Sequence, residues 1–286
     1  MIKRVRDILV TDFHTVYALD SVQKTIDHAV ETSQEYFAVF DEGVFLGIVT
    51  YKDLVKAHPN RIVVDALSFE YPSVSVSDSI WKVKEMFEVY DTVVLPVKDQ
   101  EQFVGLVDKL SLFTAISTCL DPLTGLYNGS YLYAQAEDLI EKGQEISILF
   151  ADGNGFGQID KHYGHVKGDM VLKELAHTLK ESVGSDMFLC RYGGDEFAIL
   201  TTRNAERCQT FAQELQRKVS SMKYCGNISL TIAVGIAGGR RRKAQLVNSI
   251  AVIRRLINLA SLASTKAKSS TDCLHVADYV YMEEIA

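Results

Sequence analysis

"MFLCRYGGDEFAILTT", residues 187–202, is two runs of strand-forming residues separated by Gly193-Gly194. Both glycines tolerate positive φ, so the pair marks a tight turn and the stretch reads as a β-hairpin. Asp195 and Glu196 follow the turn at once. A turn needs no such acids, and a carboxylate beside a buried sheet is costly unless it is partnered. Another apolar run, "ILFA" at 148–151, also ends in an acid, Asp152. If the two strands are neighbours, Asp152 and Asp195 can share a hard divalent cation; Mg²⁺, or Mn²⁺ in its place, suits all-oxygen ligands beside substrate phosphates.

Outward from the hairpin, the pattern from residue 121 alternates helix and strand. Helices are predicted over 129–142, 168–183, 204–221 and 246–268, and strands over 146–151 and 228–236. The implied class is α/β (α+β). After Asp152 come three glycines at alternate positions in "DGNGFG". A calcium loop is excluded, because the fifth ligand position is Phe156 and the twelfth is Tyr163. A Gly-rich turn can still offer backbone N–H groups to an anion.

The first 118 residues contain an internal repeat. Asp7-Ile8-Leu9 matches Asp65-Ala66-Leu67, Asp20-Ser21-Val22 matches Asp78-Ser79-Ile80, and Phe45 to Val49 matches Phe103 to Val107, all at an offset of 58 residues without a gap. Each copy has an Asp-Ser helix cap, an amphipathic helix, two short β-branched strands around a polar turn, and a second helix. A unit this small buries too little surface alone, so the copies should share a core. Around Cys119 the last repeat helix runs straight into "DPLTGLYN", with no Gly-, Ser- or Pro-rich linker.

Composition narrows the rest. The 286 residues are 47% hydrophobic with 4 prolines, which fits two folded domains. A formal charge of -7 and a pI near 5.5 argue against a nucleic-acid surface. The dense basic run, Arg240 to Lys243, is a solvated loop or a polyanion contact. No apolar stretch approaches the roughly 18 residues of a membrane span, and Asp7 and Asp12 interrupt any leader-like core, so a cytoplasmic protein is expected. The 5 cysteines lack C-x-x-C spacing and read as reduced, with no zinc site.

The repeat layout and the segment "GIVTYKDL" (47–54) resemble the tandem CBS (cystathionine β-synthase) module, over copies 1–60 and 61–118. That resemblance implies an adenine-nucleotide site with the Thr50 hydroxyl near phosphate and the Asp53 carboxylate on ribose. Thr-x-x-Asp ahead of an apolar helix is equally a capping box. In the second copy these positions are Asp108 and Ser111, so a ribose carboxylate is present in one copy alone.

"DPLTGLYN" (121–128), "DGNGFGQIDKHYGHVKGD" (152–169) and "RYGGDEFAIL" (191–200) together resemble the GGDEF family, the diguanylate cyclases, over residues 119–286. The resemblance implies a palm-like nucleotidyl cyclase domain with a central, mainly antiparallel sheet. It implies a reaction joining two GTP molecules into cyclic di-GMP with release of pyrophosphate, carried out by a homodimer. Asp152, Asp195 and the Gly153 carbonyl match the family's metal ligands. Glu196 matches an acid assigned to metal binding or to deprotonating the ribose 3′-OH. Asp169 matches a guanine contact and is also a candidate N-cap for a helix from Met170. Lys268 matches a phosphate-contacting lysine and is also readable as a solvated helix end.

Other positions depart from the family. Gly155, Phe156 and Gly157 stand where it usually has an aromatic, Phe and Lys; Asp160 replaces an Asn, and Asp272 an Arg. Each lost charge-assisted contact is worth about 1.5–3 kcal/mol, so weaker GTP binding or slower turnover is expected. The product site Arg-x-x-Asp is here Gly184 to Met187, so product feedback through it is not expected. The leading expectation is a CBS-regulated diguanylate cyclase. The alternative is a degenerate GGDEF domain that senses nucleotide and signals through a partner protein.

Overall fold

In the computed structural model the sequence repeat becomes a structural one. The described residues are 2–67, 72–241 and 248–284, so Arg242 and Lys243 of the basic run, and the expected helix start at 246, lie outside them. The chain divides into two units, Lys3–Thr118 and Cys119–Ala286 with Met1–Ile2.

The first unit runs β1 (Thr15–Tyr17), α1 (Val22–Thr32), β2 (Tyr36–Asp41), β3 (Val44–Thr50) and α2 (Tyr51–Lys56). It then repeats the series as β4 (Val74–Ser75), α3 (Ile80–Val89), β5 (Val94–Asp99), β6 (Gln102–Asp108) and α4 (Lys109–Ser117). In both copies the first strand pairs parallel to the second and the second antiparallel to the third. The local chemistry recurs at the sequence offset. Ser21 and Ser79 cap α1 and α3, and bulges fall at Val39/Phe40 and Val97/Lys98. The hairpin residues Glu42-Gly43 and Gln100-Glu101 all take positive φ, which matches the strands' right-handed twist. The copies share a core: Ile48, Val94 and Leu106 are buried in one cluster, and Phe45 stacks on Phe103 at 3.8 Å.

The second unit runs β7 (Tyr127–Asn128), α5 (Gly129–Glu141), β8 (Ser147–Gly153), α6 (Phe156–Tyr163), α7 (His165–Lys180), β9 (Met187–Gly193), β10 (Glu196–Thr201) and α8 (Ala205–Ser221). β11 (Ile232–Arg240), α9 (Ser249–Ala267), β12 (Leu274–Val276) and β13 (Val280–Tyr281) complete it. The sheet order is β12-β11-β8-β10-β9-β7, with β13 also on β11. β11, β8, β10 and β9 are antiparallel neighbours, while β7, β12 and β13 pair in parallel, so the sheet is mainly antiparallel as expected.

Helices cover both faces. Side chains alternate along a strand, and β8 is buried throughout. Leu149 and Ala151 pack with α7 and α8, whereas Ile148 and Phe150 pack with α5 and α9. Among the described residues no helix is long and apolar enough to cross a membrane.

Several boundaries differ from the sequence reading. The helix expected at 168–183 begins at His165 and ends at Lys180, and α6 precedes it in the stretch read as a turn. The strand expected at 228–236 is displaced to Ile232–Arg240. Ile228 is still buried, but it bridges Tyr224 within a loop. The N-cap role of Asp169 is not observed: Gly164, at φ 82°, caps α7, and Asp169 lies exposed one turn inside the helix.

Candidate active site

The acids gather because of strand register. β10 pairs with β8 so that Glu196 lies directly opposite Asp152, and opposite residues of an antiparallel pair share a face. By the alternation of β8 and β10, that face is the one covered by α9. Asp195 ends the turn one residue earlier; its backbone carbonyl accepts a hydrogen bond from Gly153 N–H at 3.3 Å. Its carboxylate rests beside Gly153, with Oδ2 3.4 Å from where a Cβ would stand.

The carboxylates strain one another. Burial, then the neighbouring Asp152, raises Asp195 above the ordinary carboxylate range, with Lys268 opposing. Burial, then Asp152 and Asp195, raises Glu196 in the same way. Lys268 supplies the one nearby counter-charge those shifts register. It is the C-cap residue of α9, and its ammonium lies 2.7 Å from Asp152 Oδ1. That oxygen is buried and receives no hydrogen bond of good alignment, so the contact is an ion pair alone.

Clustered acids with an underused buried oxygen are a donor set suited to a hard cation. Among the described residues no three His, Cys, Asp or Glu side chains gather tightly enough to hold a metal unaided. A cation here would therefore complete its shell with backbone oxygen, water or substrate.

A second cluster flanks the acids. α6 opens at Gly155 in the left-handed conformation, φ 68°, with Phe156 buried behind it. Gly157 carries no neighbour within 4 Å of a Cβ position, so nothing in the fold demands glycine there. Asp160, near the end of α6, lies across Gly168: Oδ1 would stand 2.0 Å from any Cβ at that position. Its Oδ2 pairs with His165 Nδ1 at 3.2 Å. Asp160 contributes to raising Asp195, which places it within electrostatic range of the acids. Asp169 faces solvent, and Asp272 is exposed.

Residues not singled out from the sequence hold the turn. Arg191, on β9, donates from Nε and Nη2 to the Gly194 carbonyl at 2.9 and 2.7 Å, and from Nη1 to Asp121 Oδ1 at 2.9 Å. Burial opposes the charge on Asp121, but hydrogen bonds from Thr124 and Arg191 outweigh it and hold its carboxyl below the usual range. The available signal was Arg191 itself, a charge within an apolar strand that calls for a partner.

In the first unit, Thr50 and Asp53 form the capping box of α2. Thr50 N–H and Oγ1 donate to Asp53 Oδ2 at 3.0 and 2.5 Å, and Asp53 N–H donates to Thr50 Oγ1 at 3.2 Å. They line a cavity of about 560 Å³ with Glu35, Lys56, Asp91 and Thr92. Asp108 caps α4, accepting from Ser111 N–H at 2.7 Å and Tyr36 Oη at 2.9 Å.

The family model "Diguanylate cyclase, GGDEF domain" matches residues 118–270, and a CBS domain model matches residues 5–60. One CBS copy is detected in this way; the second rests on the structural repeat. The chain is 30% identical over 103 residues to diguanylate cyclase VdcA of Vibrio cholerae, covering 36% of this chain and 30% of that protein. It is 31% identical over 131 residues to response regulator PleD of Caulobacter vibrioides, covering 42% and 29%. The chain thus spans under a third of the length of these relatives.

Among solved structures, the coiled coil and GGDEF domain of DgcB from Caulobacter crescentus, in complex with c-di-GMP, superposes with TM-score 0.50 at 23% identity, covering 58% of this chain and 88% of that one. Diguanylate cyclase SiaD of Pseudomonas aeruginosa, in complex with its activator SiaC, gives TM-score 0.51 at 23% identity, covering 69% and 72%. These likenesses establish the palm-like nucleotidyl cyclase fold. With more than half of its length matched by that family's model, the chain belongs to the GGDEF diguanylate cyclase family and carries a CBS domain ahead of the GGDEF domain.

Proposed function

We propose that the chain is a CBS-regulated diguanylate cyclase that converts two GTP molecules into cyclic di-GMP and pyrophosphate. Residues 119–286 are the cyclase domain, and residues 1–118 are a tandem CBS pair that regulates it. The observation that carries the reading is the register that sets Asp152 opposite Glu196, with Asp195 beside them.

Asp152 and Asp195 would hold Mg²⁺ or Mn²⁺, with the Gly153 carbonyl as a third protein ligand; when bound, the cation supplies positive charge against the triphosphate. Glu196, opposite Asp152 on the same face of the sheet, takes the proton of the ribose 3′-OH. The 3′-oxygen bonds to the α-phosphorus of the other GTP as the bond to pyrophosphate breaks, and a second displacement closes the ring. Lys268 exchanges Asp152 for phosphate, and the backbone at Gly155 and Phe156, opening α6, faces the triphosphate. Asp160 and Asp169 contact guanine, and each offers acceptors to its ring N–H and amine.

One domain holds one GTP, so synthesis requires two copies facing each other, and the protein acts as a homodimer. An adenine nucleotide in the cavity beside Thr50 and Asp53 would regulate that pairing. A GTP-consuming enzyme of this kind works in the cytoplasm. Incubation with GTP and Mg²⁺, assayed for cyclic di-GMP with Asp195→Ala as control, tests the reading. Wild-type product no higher than the control's would overturn it. Titration of AMP, ATP and S-adenosylmethionine against thermal stability tests the regulatory site, and no shift with any of them would remove it.

A further inference from the structure

We propose that Asp121 and Arg191 are positioning residues for the acid-bearing turn, fixing Asp195 and Glu196 against Asp152 by gripping the Gly194 carbonyl.

The need for such a device follows from the turn. Gly193 and Gly194 lose more conformational freedom on ordering than any other residue pair would, so the turn is intrinsically loose. It is also under repulsion, because the acids it carries face Asp152 across the sheet. The register of β10 against β9 shifts at Glu196/Phe197, so the regular ladder does not fix the acids on that side.

The grip is matched to the task. The carbonyl held by Arg191 Nε and Nη2 belongs to the peptide that joins Gly194 to Asp195. A two-pronged bond from a planar guanidinium fixes the direction of that peptide, which one bond would leave free to rotate. Arg191 Nη1 is anchored in turn on Asp121, so all the guanidinium nitrogens are engaged; its side chain is 12% exposed.

Asp121 is itself immobilised. Its Oδ1 accepts from Thr124 N–H at 2.8 Å and Thr124 Oγ1 at 2.6 Å, its N–H donates to the Leu126 carbonyl at 2.7 Å, and its carbonyl accepts from Gly125 N–H at 2.9 Å. The same segment is fastened to β9 again, where Asn128 pairs with Arg191. Asp121 stands just beyond Thr118, where the first unit ends.

The proposal rests on the cyclase reading for the purpose of the turn, so its test uses the full chain and a readout independent of turnover. Amide hydrogen exchange is measured without divalent cation in wild type, Asp121→Asn, Arg191→Lys and Asp186→Asn, the last breaking the separate Arg203–Asp186 pair. Exchange over residues 193–196 is expected to rise about tenfold in the first two variants, the scale of one lost charge-assisted hydrogen bond, with β8 and α8 unchanged. Asp186→Asn should leave the turn as in wild type, and Asp121→Glu should restore part of the protection. Mn²⁺ affinity of Asp121→Asn and Arg191→Lys should fall about tenfold, as for residues that orient a ligand from behind. Unchanged exchange at the turn, or a rise spread evenly over the unit, would overturn the proposal. If Arg191→Lys fails to fold, Asp121→Asn decides. A wild type that binds no Mn²⁺ would count against the cyclase reading, and the exchange data would still decide this one.

Discussion

Replacing Asp195 by Asn should make the metal-free protein more stable. Asp195 adds a charge to a cluster in which Asp152 and Glu196 already face each other on one side of the sheet. Cross-strand and adjacent carboxylates sit about 6 Å apart, where Coulomb repulsion is ~0.7 kcal/mol at a water-like dielectric and ~3 kcal/mol at an effective value of 20. Lys268 offsets part of this, and its side chain is 42% exposed, which screens it. The substitution relieves two such repulsions and loses one attenuated attraction, a net gain of about 1–2 kcal/mol. For a unit of this size that is a rise in Tm of roughly 2–8 °C.

The pH dependence has a fixed sign. Asp195 and Glu196 are raised in the folded state from ordinary values of 3.8 and 4.5, so the folded state binds more protons than the unfolded. Stability therefore falls as pH climbs from those ordinary values through the raised ones. The advantage of Asp195→Asn should be full at pH 7, shrink as pH falls through the raised range, and vanish only below the ordinary value of 3.8, at about pH 3. Differential scanning calorimetry in EDTA at both pH values measures it. With saturating Mn²⁺ the order should invert, because wild type gains a ligand that the variant holds poorly. A variant no more stable than wild type at pH 7 without metal, or one whose advantage persists undiminished at about pH 3, would refute the reasoning.

Three further outcomes follow from named contacts. Asp53→Ala removes the acceptor of Thr50 N–H and Oγ1 and should cost about 1 kcal/mol, read in the first unit's melting transition. Gly235→Ala would set a Cβ 2.1 Å from Ser264 N and 2.2 Å from the Ala260 carbonyl, both backbone of α9. It should cost about 3 kcal/mol by urea denaturation and, by moving the helix that ends at Lys268, weaken nucleotide binding as well. His165→Ala should weaken binding of a non-hydrolysable GTP analogue about threefold in wild type, a typical exposed ion pair, and leave Asp160→Asn unaffected; equal losses in both backgrounds would show that His165 does not act through Asp160.

What the sequence disclosed was governed by local chemistry. Ser21, Thr50 and their counterparts Ser79 and Asp108 cap their helices through contacts spanning three residues, so the repeat and its elements were readable from spacing. The hairpin at 187–201 was readable for the same reason. α6 was not: Gly157 lowers its intrinsic helicity, its flanking Gly155 and Gly164 give no side-chain cap, and it is held by Phe156 and Ile159 buried under α7, a tertiary contact that overrides propensity. Gly164 also starts α7 earlier than Asp169 suggested, since a residue at φ 82° can end one helix and admit the next without a side-chain cap. The strands β7, β12 and β13 are two or three residues long and pair in parallel with distant partners, so no alternating pattern announces them. Asp121 and Arg191 lie 70 residues apart, and their contact exists only once β7 has docked on β9.

The distribution of charge around the acids gives these separate features one physical cause. Two of the negative groups, Asp152 and Glu196, are carried by the central strands β8 and β10, with Asp195 in the turn just before β10, and Asp152 is buried there. The positive group near them sits on an end: Lys268 at the C-cap of α9. The sites where further cations were expected carry Gly157 and Asp272. A rigid excess of negative charge cannot relax by moving the acids apart, because the Arg191 grip and the β8–β10 ladder prevent it. Relief must come from mobile charge, first Lys268 and then whatever cation displaces it. A centre built in this way should couple cation and nucleotide tightly, since phosphate drawing Lys268 away from Asp152 would expose the carboxylate that the cation needs.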